Sequence, residues 1–286
     1  MTTAIIGVGG LGSAIAREFA AGGETVRLAS ADHESARTLA AKIGPAAVAA
    51  ADNHDALQGA DAVVLALRFT VLKSVIDEIA DQLAGKLVVV PSNPITADAD
   101  GNLSHLLPPG QSSGKVVAGW LPTGTQLAMA FGTLPADLLE SSSNQSPQRA
   151  VLFYATDDDR AVPEVERLIR IAGFEPAKAG GLDQSARLEV DGDLHAVVIT
   201  SAKARALINR QTLTAPPAAA SRPTGPTWIA RRATASRPAR PSSGTPGAPS
   251  TDRRRRSTAP RPRPPPPPPA ARCPPRHRWR SARPAE

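Results

Sequence analysis

The chain has 286 residues, 33 of them Lys or Arg and 26 Asp or Glu, for a net charge of +7. That balance points to a nucleic-acid binder only until the chain is divided. From residue 213 onward there are sixteen Arg, no Lys, one Asp and one Glu, a net of +14, which leaves residues 1–212 at −7. The one cysteine, Cys273, excludes a disulfide framework within the chain, and no apolar run is long enough to cross a membrane. Met1-Thr2-Thr3 runs straight into an apolar stretch without a signal-peptide pattern, so a reducing cytoplasm is the expected location. About 210 residues suffice for one doubly wound α/β domain with a small appendage.

The first apolar run, Ala4 to Ile6, enters Gly7-Val8-Gly9-Gly10-Leu11-Gly12 and then a helix predicted over Gly10–Ala21. Gly-x-Gly-x-x-Gly between a strand and a helix is the pattern of a dinucleotide-binding turn. Gly7 permits the tight turn, Gly9 lets the backbone approach a pyrophosphate, and Gly12 lets the helix pack on the strand. The free N–H groups and positive end of that helix favour the phosphates. Leu11, Ala14, Ile15 and Phe19 recur at helical spacing and should face a sheet. A second strand over Thr25–Ala29 ends at Ser30-Ala31-Asp32-His33, where such folds read the adenosine ribose: an acid there favours NAD and a base NADP. Asp32 either reads the ribose or caps a helix over Glu34–Ile43, the commoner role for Asp before a helix. Ser30 is a candidate donor to ribose or phosphate. His33 and Arg37 are the nearby cations for a 2′-phosphate, and a solvated first-turn position is the other reading of His33.

A short strand is predicted near Ala46–Ala50 and a small helix from Ala51 to Gly59. Asp61–Leu67 is a continuous apolar run, as in a central parallel strand buried on both faces, and Arg68 follows at its carboxyl end, facing either a ligand or solvent. A helix over Thr70–Leu83 would bury Val71, Leu72, Val75, Ile76 and Ile79. Strand Lys86–Val90 ends in Pro91-Ser92-Asn93-Pro94, a stiffened loop that either presents Ser92 and Asn93 to a nicotinamide or is simply a rigid turn. Residues 97–114 are polar and turn-rich, a loop able to form a lid. A short helix over Lys115–Leu121, a strand over Gln126–Phe131, an exposed loop over Ser141–Pro147 and a strand over Ala150–Ala155 follow. Asp157-Asp158-Asp159 reads as cap and dipole partner of a helix over Arg160–Ala172, in preference to a cation site. Phe174–Ala179 is the last strand, and Gly180-Gly181-Leu182 opens a helical segment.

Five stretches together resemble the family of NADPH-dependent reductases of coenzyme F420, a deazaflavin. They are Gly7 to Gly12, the fourth-strand run ending at Leu67, Pro91-Ser92-Asn93-Pro94, Ala130-Phe131-Gly132-Thr133-Leu134, and Gly180-Gly181 through Arg187 to Asp193-Leu194-His195. The resemblance covers residues 1 to about 196. It implies a doubly wound parallel Rossmann sheet with a short helical C-terminal segment, NADP and coenzyme F420 as the redox pair, and hydride transfer between two stacked rings. It also implies Leu67, Pro94 and Thr133 as further cofactor contacts, and a homodimer paired through the C-terminal part. Such chemistry needs ring orientation and exclusion of water, with no acid–base pair. Two positions depart. The family's second strand ends in Ser followed by Arg, which grips the 2′-phosphate, whereas Ala31 and Asp32 follow Ser30 here and leave NAD open. Gly132 stands where relatives carry His or Asn.

The organisation expected is therefore an NAD(P)-binding domain over 1–180, a small and incomplete-looking helical segment over 181–212, and a disordered Pro/Arg-rich tail over 213–286. The tail holds 19 of the 29 prolines, with Arg253–Arg256 and Pro264–Pro269 as unbroken runs. It reads either as a basic arm for nucleic acid or as out-of-frame translation of GC-rich DNA, which the switch from mixed Lys/Arg to Arg alone favours. Nucleic acid is a partner only through that arm, and a small-molecule substrate is expected. The other functions carried are a reductase of another acceptor (a flavin, imine or ketone) and a non-catalytic dinucleotide-binding protein.

Overall fold

A computed structural model describes residues 1–98 and 103–212. The expected tail, with Cys273 and its Arg and Pro runs, lies outside the described residues. In chain order the elements are β1 (Thr2–Ile6), α1 (Gly10–Ala21), β2 (Thr25–Ala29), α2 (His33–Ile43), β3 (Ala47–Ala49), α3 (Asn53–Leu57), β4 (Ala62–Leu65), α4 (Phe69–Ile79) and β5 (Leu87–Val90). Then come β6 (Ile95–Ala97), β7 (Leu103–His105), α5 (Ser113–Ala118), β8 (Gln126–Ala130), α6 (Ala136–Ser142), β9 (Val151–Ala155), α7 (Val162–Ile171), β10 (Glu175–Gly180) and α8 (Ser201–Thr212). The main sheet has the order β10-β9-β8-β5-β4-β1-β2-β3. From β3 to β8 this is the doubly wound order 3-2-1-4-5-6, all parallel, with its reversal between β1 and β4.

Alternation along the strands feeds two cores. Ile5, Val26, Leu28, Val64 and Val89 point to one face and meet Ile15 and Phe19 of α1, Leu39 of α2 and Leu168 of α7. Ile6, Val63, Leu65, Val88 and Val90 point to the other and meet Leu57 of α3, Leu72 and Ile76 of α4, and Leu182, Leu188 and Leu194 of the C-terminal segment. The sheet is thus covered on both sides, which is why β4 and β5 are apolar at every position.

Several elements differ from the sequence expectation. The sheet is mostly rather than wholly parallel: β9 pairs antiparallel with β8, Met129 opposite Ala155 and Ala130 opposite Tyr154. Strand direction is invisible in a fully apolar run, because parallel and antiparallel neighbours bury the same residues. The expected lid loop contains the β6–β7 hairpin, its ends tied to the preceding loop by Ile95 N–H to the Asn93 carbonyl (2.9 Å) and Leu106 N–H to the Pro94 carbonyl (2.8 Å). Helix α5 begins at Ser113, because the Ser112 side chain caps it. Helix α6 occupies the start of the expected exposed loop; Leu139 and Ser142 are buried, and Arg17 of α1 pairs with Glu140. Phe131, at φ 67°, ends β8 one residue early.

The C-terminal segment opens as a 3₁₀ helix over Leu182–Arg187. Arg187, 9% exposed, forms a fork with Asp193 (Nε–Oδ1 3.0 Å, Nη2–Oδ2 2.9 Å), and its carbonyl accepts the Leu194 N–H at 3.0 Å. A side chain at Gly192 would overlap the Arg187 carbonyl, so this Arg–Gly-Asp-Leu pattern is a self-closing clamp. Helix α8 adds Ala204 to the second core.

Phe19 is fully buried, its ring edge-on to Phe131 at 5.4 Å. Phe19→Ala is expected to lower the unfolding free energy by about 3–5 kcal/mol, read as a shift of the urea midpoint; a loss below about 1 kcal/mol would contradict this packing.

Candidate cofactor site

The reversal of strand order between β1 and β4 leaves a crevice at the carboxyl edge of the sheet, the place where open α/β sheets bind ligands. Here it is a cleft of about 680 Å³. Gly7, Val8 and Gly9 form its floor, Ser30, Ala31 and His33 one wall, and Leu67 and Arg68 the other.

The three glycines have distinct reasons. Gly7 has φ 97°, and a Cβ there would run into the Ala66 carbonyl after β4. A Cβ at Gly12 would run into the Gly7 carbonyl, so α1 sits directly on the turn. Both are demanded by the fold. Gly9 is different: its φ is −65°, and a Cβ would meet nothing within 4 Å. Its bare backbone opens on the cleft. Helix α1 begins at Gly10, next to it, and Arg68, the residue before α4, lines the same cleft, so the positive ends of two helices and one cationic residue border it.

Beyond the end of β2, Asp32 caps α2. Its carboxylate accepts from Glu34 N–H (3.2 Å) and from the Ser35 hydroxyl (2.5 Å), and the latter bond holds its pKa below the usual carboxylate range. It borders a second depression with Ser13, Arg17 and Lys42. Ser30 and His33, the first residue of α2, line the cleft instead. Arg37 pairs with Glu34 at 4.0 Å and is not part of the wall.

The other expected contacts lie elsewhere. Gly10, Leu11 and Gly12 form the first turn of α1, with Leu11 packed on the core. Ser92, Asn93 and Thr133 border a cavity of only about 10 Å³ at the ends of β5 and β8. The Ser92 hydroxyl donates to the Leu67 carbonyl (2.6 Å). Asn93 donates to the Gly132 carbonyl (3.0 Å) and accepts from Val190 N–H (2.8 Å), so its side chain ties three segments together. Pro94 is buried beside them. A Cβ at Gly132 would overlap the Pro91 carbonyl, so this backbone has no room for the side chain that the family pattern suggested. The three consecutive aspartates also separate. Asp158 caps its helix and pairs with Arg160, Asp157 pairs with Lys115, and Asp159 pairs with Lys178.

Sequence reasoning missed Asp52, Asn53 and Glu78 of the cleft wall and placed Val71 and Val75 on the buried face of α4, where Val75 does pack against the second core while also lining the cleft. The two valines are half-buried and line the cleft; the spacing Val71, Val75, Glu78 was the available signal, one helical face that ends in a charge.

The sequence model of the family described as NADP oxidoreductase coenzyme F420-dependent matches residues 2–94, the stretch that builds the cleft. The F420-dependent NADP reductase of Methanothermobacter thermautotrophicus is 28% identical over 199 residues, 66% of this chain and 85% of that protein. Among solved structures, a hypothetical protein from Sinorhizobium meliloti matches with TM-score 0.63 and 30% identity, over 70% of this chain and 96% of its own. A candidate F420-dependent NADP reductase from Arthrobacter sp. FB24 shares the fold at TM-score 0.55 and 20% identity, over 63% and 85% of the two chains. Among the described residues no helix is long and apolar enough to cross a membrane. With a cleft of this geometry at the strand-order reversal, the chain is similar to the coenzyme F420-dependent NADP oxidoreductases over the stretch that builds the cleft, and it is an NAD(P)-dependent oxidoreductase.

Proposed function

We propose that the protein transfers a hydride between NADPH and a deazaflavin of the coenzyme F420 type, with residues 1–180 holding the dinucleotide and residues 181–212 closing the acceptor side. The observation that carries the dinucleotide reading is Gly9. No contact of the fold requires a glycine there, and its open side faces the cleft between two helix N-termini. A pyrophosphate needs such a bare, electropositive floor. Ser30 and His33 are the groups available to a 2′-phosphate. Asp32 caps α2 and lines a neighbouring depression, outside the wall of the cleft. That arrangement supports NADP even though the usual Arg is absent.

A bound nicotinamide supplies the hydride; the protein's task is to orient the ring and exclude water. Leu67 and Arg68 at the end of β4 wall the inner part of the cleft. The Ser92 and Asn93 bonds fix the neighbouring loop, and the Arg187–Asp193 clamp fixes the segment behind it. The chain thus offers a rigid platform at the sheet edge on which two flat rings can meet.

Oxidised coenzyme F420 mixed with protein and NADPH is expected to lose deazaflavin absorbance catalytically, faster than with NADH. Absence of turnover while NADPH still binds would overturn the deazaflavin assignment and leave the dinucleotide site. His33→Gln is expected to raise the KM for NADPH about tenfold and leave that for NADH unchanged, the worth of one charge-assisted bond to phosphate; equal effects on both would remove His33 from that role. Gly9→Ala is expected to cost at most about 1 kcal/mol of stability as a change of N-cap, while weakening NADPH binding more than about tenfold by filling the pyrophosphate floor. Gly12→Ala, by contrast, is expected to destabilise the fold itself, read in the same denaturation experiment.

A further inference from the structure

The cleft is polarised along its length. At the glycine end it has two helix N-termini and Arg68; at the other end the charged groups of its wall are Asp52 and Glu78. A phosphate is repelled from that acidic end, so the part of a dinucleotide lying there is its uncharged base. Val71 and Val75 stand between the two ends on the cleft face of α4, and Glu78 completes the row at i, i+4 and i+7. At 1.5 Å per residue, Glu78 lies about 10 Å along the helix from Val71. Two valines make an apolar strip for the face of a flat ring, with an acceptor at its far edge.

The two carboxylates of this end are not equivalent. Asp52 is committed to α3, where its side chain accepts the Asp55 N–H at 2.7 Å. Glu78 is held in place by Asn53, whose Nδ2 lies 3.1 and 3.2 Å from its two oxygens. A carboxylate accepts at about four lone-pair positions, so Glu78 is oriented by one amide and keeps acceptor capacity toward the cleft.

We propose that this end of the cleft reads the base: Glu78, positioned by Asn53, accepts a hydrogen bond from the exocyclic amino group of adenine while Val71 and Val75 contact the ring. The cleft then selects a 6-aminopurine dinucleotide over its 6-oxo counterpart, whose carbonyl oxygen would face the carboxylate. This rests on the dinucleotide reading of the cleft, and not on the identity of the acceptor.

The test is calorimetric binding of NADP⁺ and of its hypoxanthine analogue to the full chain, with no acceptor present. The wild type is expected to bind NADP⁺ about five- to tenfold more tightly, the range for one partly solvated bond to a charged acceptor. Glu78→Gln, an exposed substitution that keeps size and offers both donor and acceptor, is expected to bring the ratio close to one, with the unfolding midpoint unchanged. Equal affinity of the wild type for the two dinucleotides, or a ratio unchanged in Glu78→Gln, overturns the proposal and leaves the cleft assignment standing. Failure of NADP⁺ itself to bind overturns both.

Discussion

The contact on which everything else depends is the stacking of three backbones: the turn after β1, the first turn of α1 and the residue that follows β4. Gly12 lies on the Gly7 carbonyl, and Gly7 lies on the Ala66 carbonyl, each too close for a side chain. This approach lets α1 start directly above the sheet edge with its N–H groups aimed outward. It also brings the end of β4 beside the end of β1, although the two are separated in sequence by β2, β3 and their helices. The cleft is the space left over once that junction is made. Its electropositive floor follows from where the helices begin, and needs only one cationic side chain, Arg68.

A second set of constraints closes the structure at the ends of β5 and β8. Ser92 and Asn93 lie at the end of β5, where a reader of the sequence expects ligand contacts, yet their polar atoms bond to the Leu67 and Gly132 carbonyls and to the Val190 amide. Each bond joins a strand end to a different segment. Glu189, next in line, accepts from the Ser113 amide and hydroxyl at 2.8 and 2.6 Å, which ties α5 to the same segment. Glu189 is buried at 9% exposure, and its Oε1 takes three donors once Ser185 is counted at 3.3 Å. The polar residues of this edge act as fasteners between strand ends and the segments packed on them.

Asp32 shows how a single side chain changes meaning with its partners. Read by position it argues for NAD; bonded to Glu34 N–H and the Ser35 hydroxyl it is a helix cap that borders a different surface. His33, one residue further, lines the cleft because the first turn of α2 rotates it there. Asp32 is the extended N-cap residue (φ −96°, ψ 98°) and His33 the first helical one, so the chain turns between them and one borders the neighbouring depression while the other lines the cleft.

Composition, spacing and periodicity were enough for much of this molecule. The strand–glycine–helix junction at residues 4–12, the buried runs of β4 and β5, the cap at Asp32 and the strand ends bearing Ser30 and Arg68 were all legible, because each follows from local geometry: a missing Cβ, a period of two or 3.6, a side-chain oxygen before a helix. The β6–β7 hairpin, helix α6, the antiparallel turn of β9 and the inward bonding of Ser92 and Asn93 were not. Nor was the far wall of the cleft, where Asn53 of α3 meets Glu78 of α4 across 25 positions of chain. The sequence by itself determined that a dinucleotide-type turn begins an α/β sheet. The tertiary structure alone decided which polar groups face the cleft and which bind the protein to itself, because that depends on which distant backbone each side chain meets.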